Sequence, residues 1–149
     1  MIKVETLGGI DVAKLNPVLK VNAEVANYQF VTDANGILYL VCNTLTGDDS
    51  YREGIKFAAN TYLNGYEVKA WEGLKLVVDE AHIKYGVSED YDDITAGTTI
   101  LKVDSTTGKL EIAQSTPTSG IYFKVTDKCR LTGKAVKVLV VVVDEDTHD

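Results

Sequence analysis

The chain is poor in the residue types that most often carry chemistry. It has two histidines, two cysteines, one tryptophan and one methionine among 149 residues. His82 and His148 lie far apart, and neither stands near a cysteine at zinc-ligand spacing, so a structural zinc site is not expected. Cys42 and Cys129 each fall in an apolar or strand-like stretch and read as buried reduced thiols of a protein made in a cytoplasm. Two cysteines also exclude a small disulfide-dense scaffold. Proline is equally scarce, at Pro17 and Pro117, which removes Pro-rich linkers from consideration.

Long apolar runs are missing as well. The longest, Val138 to Val143, is far short of the ~20 residues a membrane-spanning helix needs. No basic-then-apolar leader follows Met1, so no secretory signal is expected. Positive charge is in deficit: 15 Lys and Arg against 22 Asp and Glu give a net charge of −7. An acidic surface repels phosphate backbones and anionic lipid, which argues against nucleic acid and membranes as partners.

Catalytic signatures are absent too. There is no Gly-x-Ser-x-Gly and no Cys in an obvious pairing with His. Thr107-Gly108-Lys109-Leu110 fails as a phosphate-binding loop, because Leu110 replaces the hydroxyl residue and Val103 stands where the upstream glycine belongs. Asp48-Asp49 and Asp90, Asp92 and Asp93 offer hard oxygen ligands, but neither group has calcium-loop spacing, and both read as solvated turns. No metal, cofactor or catalytic residue is therefore assigned, and the chain reads as a non-enzyme.

What is present is glycine at a regular beat: positions 36, 47, 54, 65, 73, 86, 97, 108, 120 and 133. Short runs of Val, Ile, Leu, Thr and Tyr lie between them. Turn signals every ~8–12 residues between β-branched segments mark an all-β fold, an antiparallel β-sandwich or partly open barrel. Residues 1–27 read as an extended N-terminal arm or edge strand, and residues 28–149 as the β-domain. Asp33-Ala34-Asn35-Gly36 should turn one hairpin, Asn64-Gly65 a second and Asp104 to Gly108 a third. Ile37 to Cys42 is apolar on both faces and should be a central strand, as should Ala135 to Val143. Residues 50–64 carry both helical and strand spacing, with strand preferred. Glu67 to Trp71 alternates as a strand, and residues 80–94 read as irregular, with a surface loop over 88–93.

Trp71 is either a core aromatic or an exposed platform for a sugar or a protein partner. Eight tyrosines against three phenylalanines favour half-buried contact positions, since Tyr pairs an apolar body with a wet tip. The candidate interface residues are Trp71, Tyr66, Tyr85 and Tyr91, with Leu7, Ile10 and Val12 of the arm.

Leu63-Asn64-Gly65-Tyr66-Glu67-Val68-Lys69-Ala70-Trp71-Glu72-Gly73, followed by Val78-Asp79-Glu80-Ala81-His82-Ile83, resembles small structural proteins of tailed bacteriophages infecting Gram-positive bacteria. The resemblance continues through Pro117-Thr118-Ser119-Gly120-Ile121-Tyr122-Phe123-Lys124-Val125-Thr126-Asp127-Lys128. It implies a capsid decoration, or cement, protein: a β-rich body bound to the outside of a capsid lattice, without catalysis. The implied partners are the major capsid protein and neighbouring copies of the chain. The implied location is the capsid surface of the virion, after synthesis in the host cytoplasm. A tail-tube or head–tail connector subunit would share these features. A carbohydrate-binding or adhesin module, using Trp71, is the reading from a different class.

Overall fold

Short β-branched runs make strands the dominant regular structure among the described residues. A computed structural model describes residues 2–4, 15–41, 56–130 and 134–143. The strands are β1 (Ile2–Val4), β2 (Leu15–Lys20), β3 (Val25–Ala26), β4 (Phe30–Thr32), β5 (Leu38–Val41), β6 (Lys56–Phe57) and β7 (Tyr62–Glu67). They continue as β8 (Lys75–Asp79), β9 (Ile83–Lys84), β10 (Ile100–Val103), β11 (Leu110–Ile112), β12 (Gly120–Arg130) and β13 (Lys134–Val143). The helical content of the described residues is three 3₁₀ turns, Val68–Trp71, Glu80–His82 and Tyr91–Asp93. The fold class is all-β.

A seven-stranded sheet runs in the order β1-β8-β13-β12-β10-β11-β9 and curls about the core. A four-stranded sheet, β2-β7-β5-β4, faces it, and the short ribbon β3-β6 lies apart. Pairing is antiparallel except for β9 with β11, which run parallel. The remaining pairs are those of the antiparallel all-β fold expected from the sequence. One strand, β10, and a 3₁₀ turn separate β9 from β11 in the chain, enough for a crossover.

Two apolar clusters hold these layers. The larger joins Phe30 and Leu40 of the small sheet to Leu76, Val78, Leu101, Phe123, Val136, Val138 and Val140 of the large one. Phe30 and Phe123 meet with ring centroids 5.4 Å apart. The smaller cluster is Leu19, Val21, Val25, Tyr39, Val41 and Leu63, with Phe57 packed against it. Strand β5 serves both, sending Leu40 to the larger cluster and Tyr39 and Val41 to the smaller. Its two-faced apolar character is thus explained, and it lies inside its sheet as expected, between β4 and β7.

The first hairpin turns where the sequence placed it. The N–H of Gly36 donates to the Asp33 carbonyl at 3.1 Å, and Gly36 takes φ +82. Asn35 keeps negative φ, so the loop is a type I turn closed by a glycine bulge. The β10–β11 hairpin turns through Asp104 to Gly108, also as expected.

Asn64-Gly65 does not turn the chain. It lies inside β7, with Gly65 opposite Asn16 of β2 and Val41 of β5. Here the glycine is used for closeness: a Cβ at Gly65 would run into the Leu19 side chain and sit 3.3 Å from the Tyr39 Cβ. Nor is Glu67–Trp71 a strand beyond its first residue, since Val68 and Trp71 use 3₁₀ spacing to bury side chains together. Residues 80–94 are less irregular than their polarity implies, because His82, Ile83, Tyr91 and Ile94 are buried. Strand β13 is central, between β8 and β12, yet only one of its faces is fully buried.

The N-terminal segment is built into the body as edge strands. β1 pairs with β8 and places Ile2 in the larger cluster, while β2 pairs with β7 and places Leu19 in the smaller. For residues 50–64, Lys56–Phe57 and Tyr62 onward are strand. Residues 42–55 and 131–133, which include the expected turns at Gly47 and Gly133, lie outside the described residues.

Candidate functional site

The candidate aromatic residues separate into core and rim. Trp71 closes the 3₁₀ turn between β7 and β8, is 4% exposed, and stacks on Tyr66 with centroids 5.9 Å apart. Its indole N–H has no hydrogen-bond partner among the described residues. Tyr91 is 5% exposed. Its hydroxyl donates to the Ala135 carbonyl at 2.8 Å, with the Cys129 carbonyl at 3.3 Å, so the ring pins the 91–93 turn onto the β12–β13 hairpin. Lys128 lies over that ring at 4.2 Å and donates to the Tyr91 carbonyl at 2.9 Å. Neither Trp71 nor Tyr91 offers a ring face to solvent, which places both on the core side of the alternatives.

Tyr66 and Tyr85 are half-buried. The Tyr85 hydroxyl donates to Glu80 Oε2 at 3.0 Å. Burial, then the hydrogen bond and charge of Glu80, push this phenol above its ordinary pKa and keep it a neutral donor. Leu7, Ile10 and Val12 lie outside the described residues. The structure therefore stacks Tyr66 on Trp71, and Tyr66, Trp71, Tyr85 and Tyr91 all belong to the larger cluster or pack against it.

The acidic loop candidates have structural occupations. Asp90 Oδ1 accepts from the Asp92 N–H at 2.9 Å, and Asp93 Oδ2 accepts from the Asp90 N–H at 2.8 Å, a reciprocal cap on the 91–93 turn. His82 is buried and meets Tyr28 edge-on, with centroids 5.7 Å apart. Cys129 is a half-buried free thiol. Among the described residues no group of three or more His, Cys, Asp or Glu is placed to hold a metal ion. No helix among them is long and apolar enough to cross a membrane.

One junction was not singled out from sequence. Asp104, in the β10–β11 turn, accepts from the Thr107 hydroxyl at 2.7 Å, from Lys84 Nζ of β9 at 3.1 Å and from the Thr106 N–H at 3.3 Å. Those donors, Thr107 foremost and then Lys84, hold its carboxyl down at about 2. The same turn reaches the other sheet, because the Phe30 N–H donates to the Gly108 carbonyl at 2.8 Å. Gln29 lies directly over Gly108, and its side-chain oxygen accepts from the Ala26 N–H at 2.9 Å. A short Asp-x-x-Thr-Gly turn thus brackets both sheets and the β9 edge. The sequence signal was there in Asp104, Thr107 and Gly108, but only the turn was legible, not its partners.

Beside this bracket the surface is grooved. One groove of about 650 Å³ runs between the β4–β5 hairpin and the start of β12, and its lining includes Ile37, Leu38, Val103 and Ile121 together with Glu67 and Lys102. What the arrangement offers chemically is contact area: apolar strips bordered by charge on a rigid two-sheet frame. No protein-family model, no curated protein and no solved structure matches this chain.

Proposed function

We propose that the protein is a non-enzymatic structural protein of a tailed-phage virion, one that decorates a capsid lattice and stabilises contacts between capsomers. The observation that carries this reading is where the phage-like stretches fall in the fold. Residues 63–83 supply β7, the Trp71 turn and β8, and residues 117–128 supply most of β12. β8 and β12 flank β13 in one sheet, and Val68, Trp71, Leu76, Val78, Phe123 and Val125 share one apolar cluster. The resemblance therefore belongs to the framework of the body rather than to scattered loops.

Two further features support decoration over the alternatives. Three of the four edges of the two larger sheets are short strands, with three residues in β1, two in β9 and three in β4, and the fourth, β2, has six. Short edges blunt continuous sheet-to-sheet growth, which a tail-tube ring would use. Trp71, buried against Tyr66, is a poor platform for a sugar ring, which weakens the carbohydrate-binding reading. Affinity would come from many modest contacts repeated over one lattice. The partners on this reading are the major capsid protein and neighbouring copies of the chain.

Purified protein added to capsids that lack it should bind saturably and raise their melting temperature, because a ligand of the assembled state stabilises that state. Indifference to cognate capsids, with the protein recovered in purified tails, would replace this reading with the tail-subunit one.

A further inference from the structure

The chain contains two Asn-Gly dipeptides among its described residues, and the fold puts them in opposite settings. Asn35-Gly36 is the exposed tip of the β4–β5 hairpin. Asn64-Gly65 lies within β7, where Gly65 is buried and has a partner strand on each side. We propose that Asn35 is a modification site in the folded protein, converting spontaneously through a succinimide to aspartate and isoaspartate, while Asn64 is protected.

The reaction needs only the chain and water. The backbone nitrogen of Gly36 attacks Cγ of Asn35, forming a C–N bond that closes a five-membered ring. The bond from Cγ to the side-chain nitrogen breaks, and ammonia leaves carrying the proton given up by Gly36. Water then opens the ring at either carbonyl, leaving aspartate or an isoaspartyl linkage at position 35. The following residue must not crowd the attack, and glycine, with no Cβ, is the least obstructive.

The hairpin tip meets these requirements. Asn35 and Gly36 are both exposed, and a Cβ placed at Gly36 would find nothing within 4 Å. The hydrogen bonds of the turn use backbone groups and the Asp33 carboxylate, leaving the Asn35 carboxamide uncommitted among the described residues. What restrains the attacking nitrogen is its own bond to the Asp33 carbonyl at 3.1 Å, supported by Asp33 Oδ1, which accepts from the Asn35 and Ile37 N–H groups at 2.9 Å each. An exposed tip opens locally at low free-energy cost, whereas a strand paired on both sides opens only with much of the fold. The consequence is local and lasting. One more negative charge joins a chain already at −7, and the isoaspartyl form lengthens the main chain inside a tight turn. Gly36 and Ile37 also border the groove above β12, so its rim changes as the protein ages.

The test is peptide mapping by mass spectrometry, with isoaspartate identified by its diagnostic fragmentation, after incubation at mildly alkaline pH. Folded protein should convert at residue 35 at least about tenfold faster than at residue 64, and in denaturant the two rates should become comparable. Asp33→Ala, which loosens the turn, should speed conversion at residue 35. The proposal fails if residue 35 stays intact in folded protein over a period in which the denatured chain converts. It fails equally if residue 64 keeps pace with residue 35 in the folded state.

Discussion

Gly108 shows how much a single position can hold. Its φ is +70, and a Cβ there would collide with the Gln29 side chain that covers the turn. Gly108→Val should therefore cost about 2–3 kcal/mol, combining left-handed strain with loss of the bracket between the sheets. Gly36→Ala, with similar φ but open space, should cost only about 1 kcal/mol. Chemical denaturation of both variants checks the ordering, and equal losses would show that Gln29 simply moves aside. Asp104 makes a prediction about acid. Its carboxyl titrates at about 2 rather than 3.8 because the native donors favour the charged form. A lowered native pKa gives stabilisation that is complete above the unfolded value and lost as pH falls through the folded one. The wild-type melting temperature should drop between about pH 4 and pH 2 from this source. Asp104→Asn should start a few degrees lower at neutral pH and show a shallower acid limb, and identical limbs would remove Asp104 from the account. Trp71, the only tryptophan, should emit at short wavelength and shift red on unfolding. Trp71→Ala should cost about 3–5 kcal/mol, and Trp71→Phe distinctly less, since phenylalanine leaves no unpaired donor in the core.

Elements were legible from sequence where one local signal decided them. Asp33 to Gly36 and Asp104 to Gly108 announce turns because their bonds close within the loop itself. The same Asn-Gly pair at 64–65 misleads, since the reason for that glycine is Leu19 and Tyr39, side chains far off in the chain. Val68 to Trp71 alternates like a strand, yet becomes a 3₁₀ turn because the larger cluster needs both ends buried. Burial of Tyr91 was hidden by Asp90, Asp92 and Asp93 around it, of which Asp90 and Asp93 cap the turn, and burial of His82 by Asp79 and Glu80 before it. Strand β13 remains the firmest element. Val140 is 1% exposed, between β8 and β12 in the large sheet. Val140→Asp would bury an unpaired charge at a cost of about 3–5 kcal/mol. A variant that melts within a degree or two of wild type would mean this face is open to water.

For the molecule as a whole, the candidate site was the least legible part, because contact surface is made by juxtaposition. Ile37, Val103 and Ile121 come from three distant segments and meet only once both sheets are formed. Within the first 27 residues, Ile2, Leu19, Val21 and Val25 are core residues of the two clusters. Removing residues 1–27 should therefore abolish the cooperative thermal transition rather than merely detach a docking arm. A truncated protein that keeps its β spectrum and melts sharply would show those strands to be dispensable. The pairing order of the large sheet has a consequence in time. Ile2 of β1 sits opposite Val78 of β8, and Val78 in turn sits opposite Val136 of β13. On the ribosome, the first strand waits for the eighth, and the eighth waits for the last. The sheet's centre is thus assembled after its β1 edge has waited, through the synthesis of every strand up to β13, without a permanent neighbour. Nascent chains stalled before residue 134 should remain protease-sensitive throughout β1 and β8, and protection should arrive for both at once when β13 emerges.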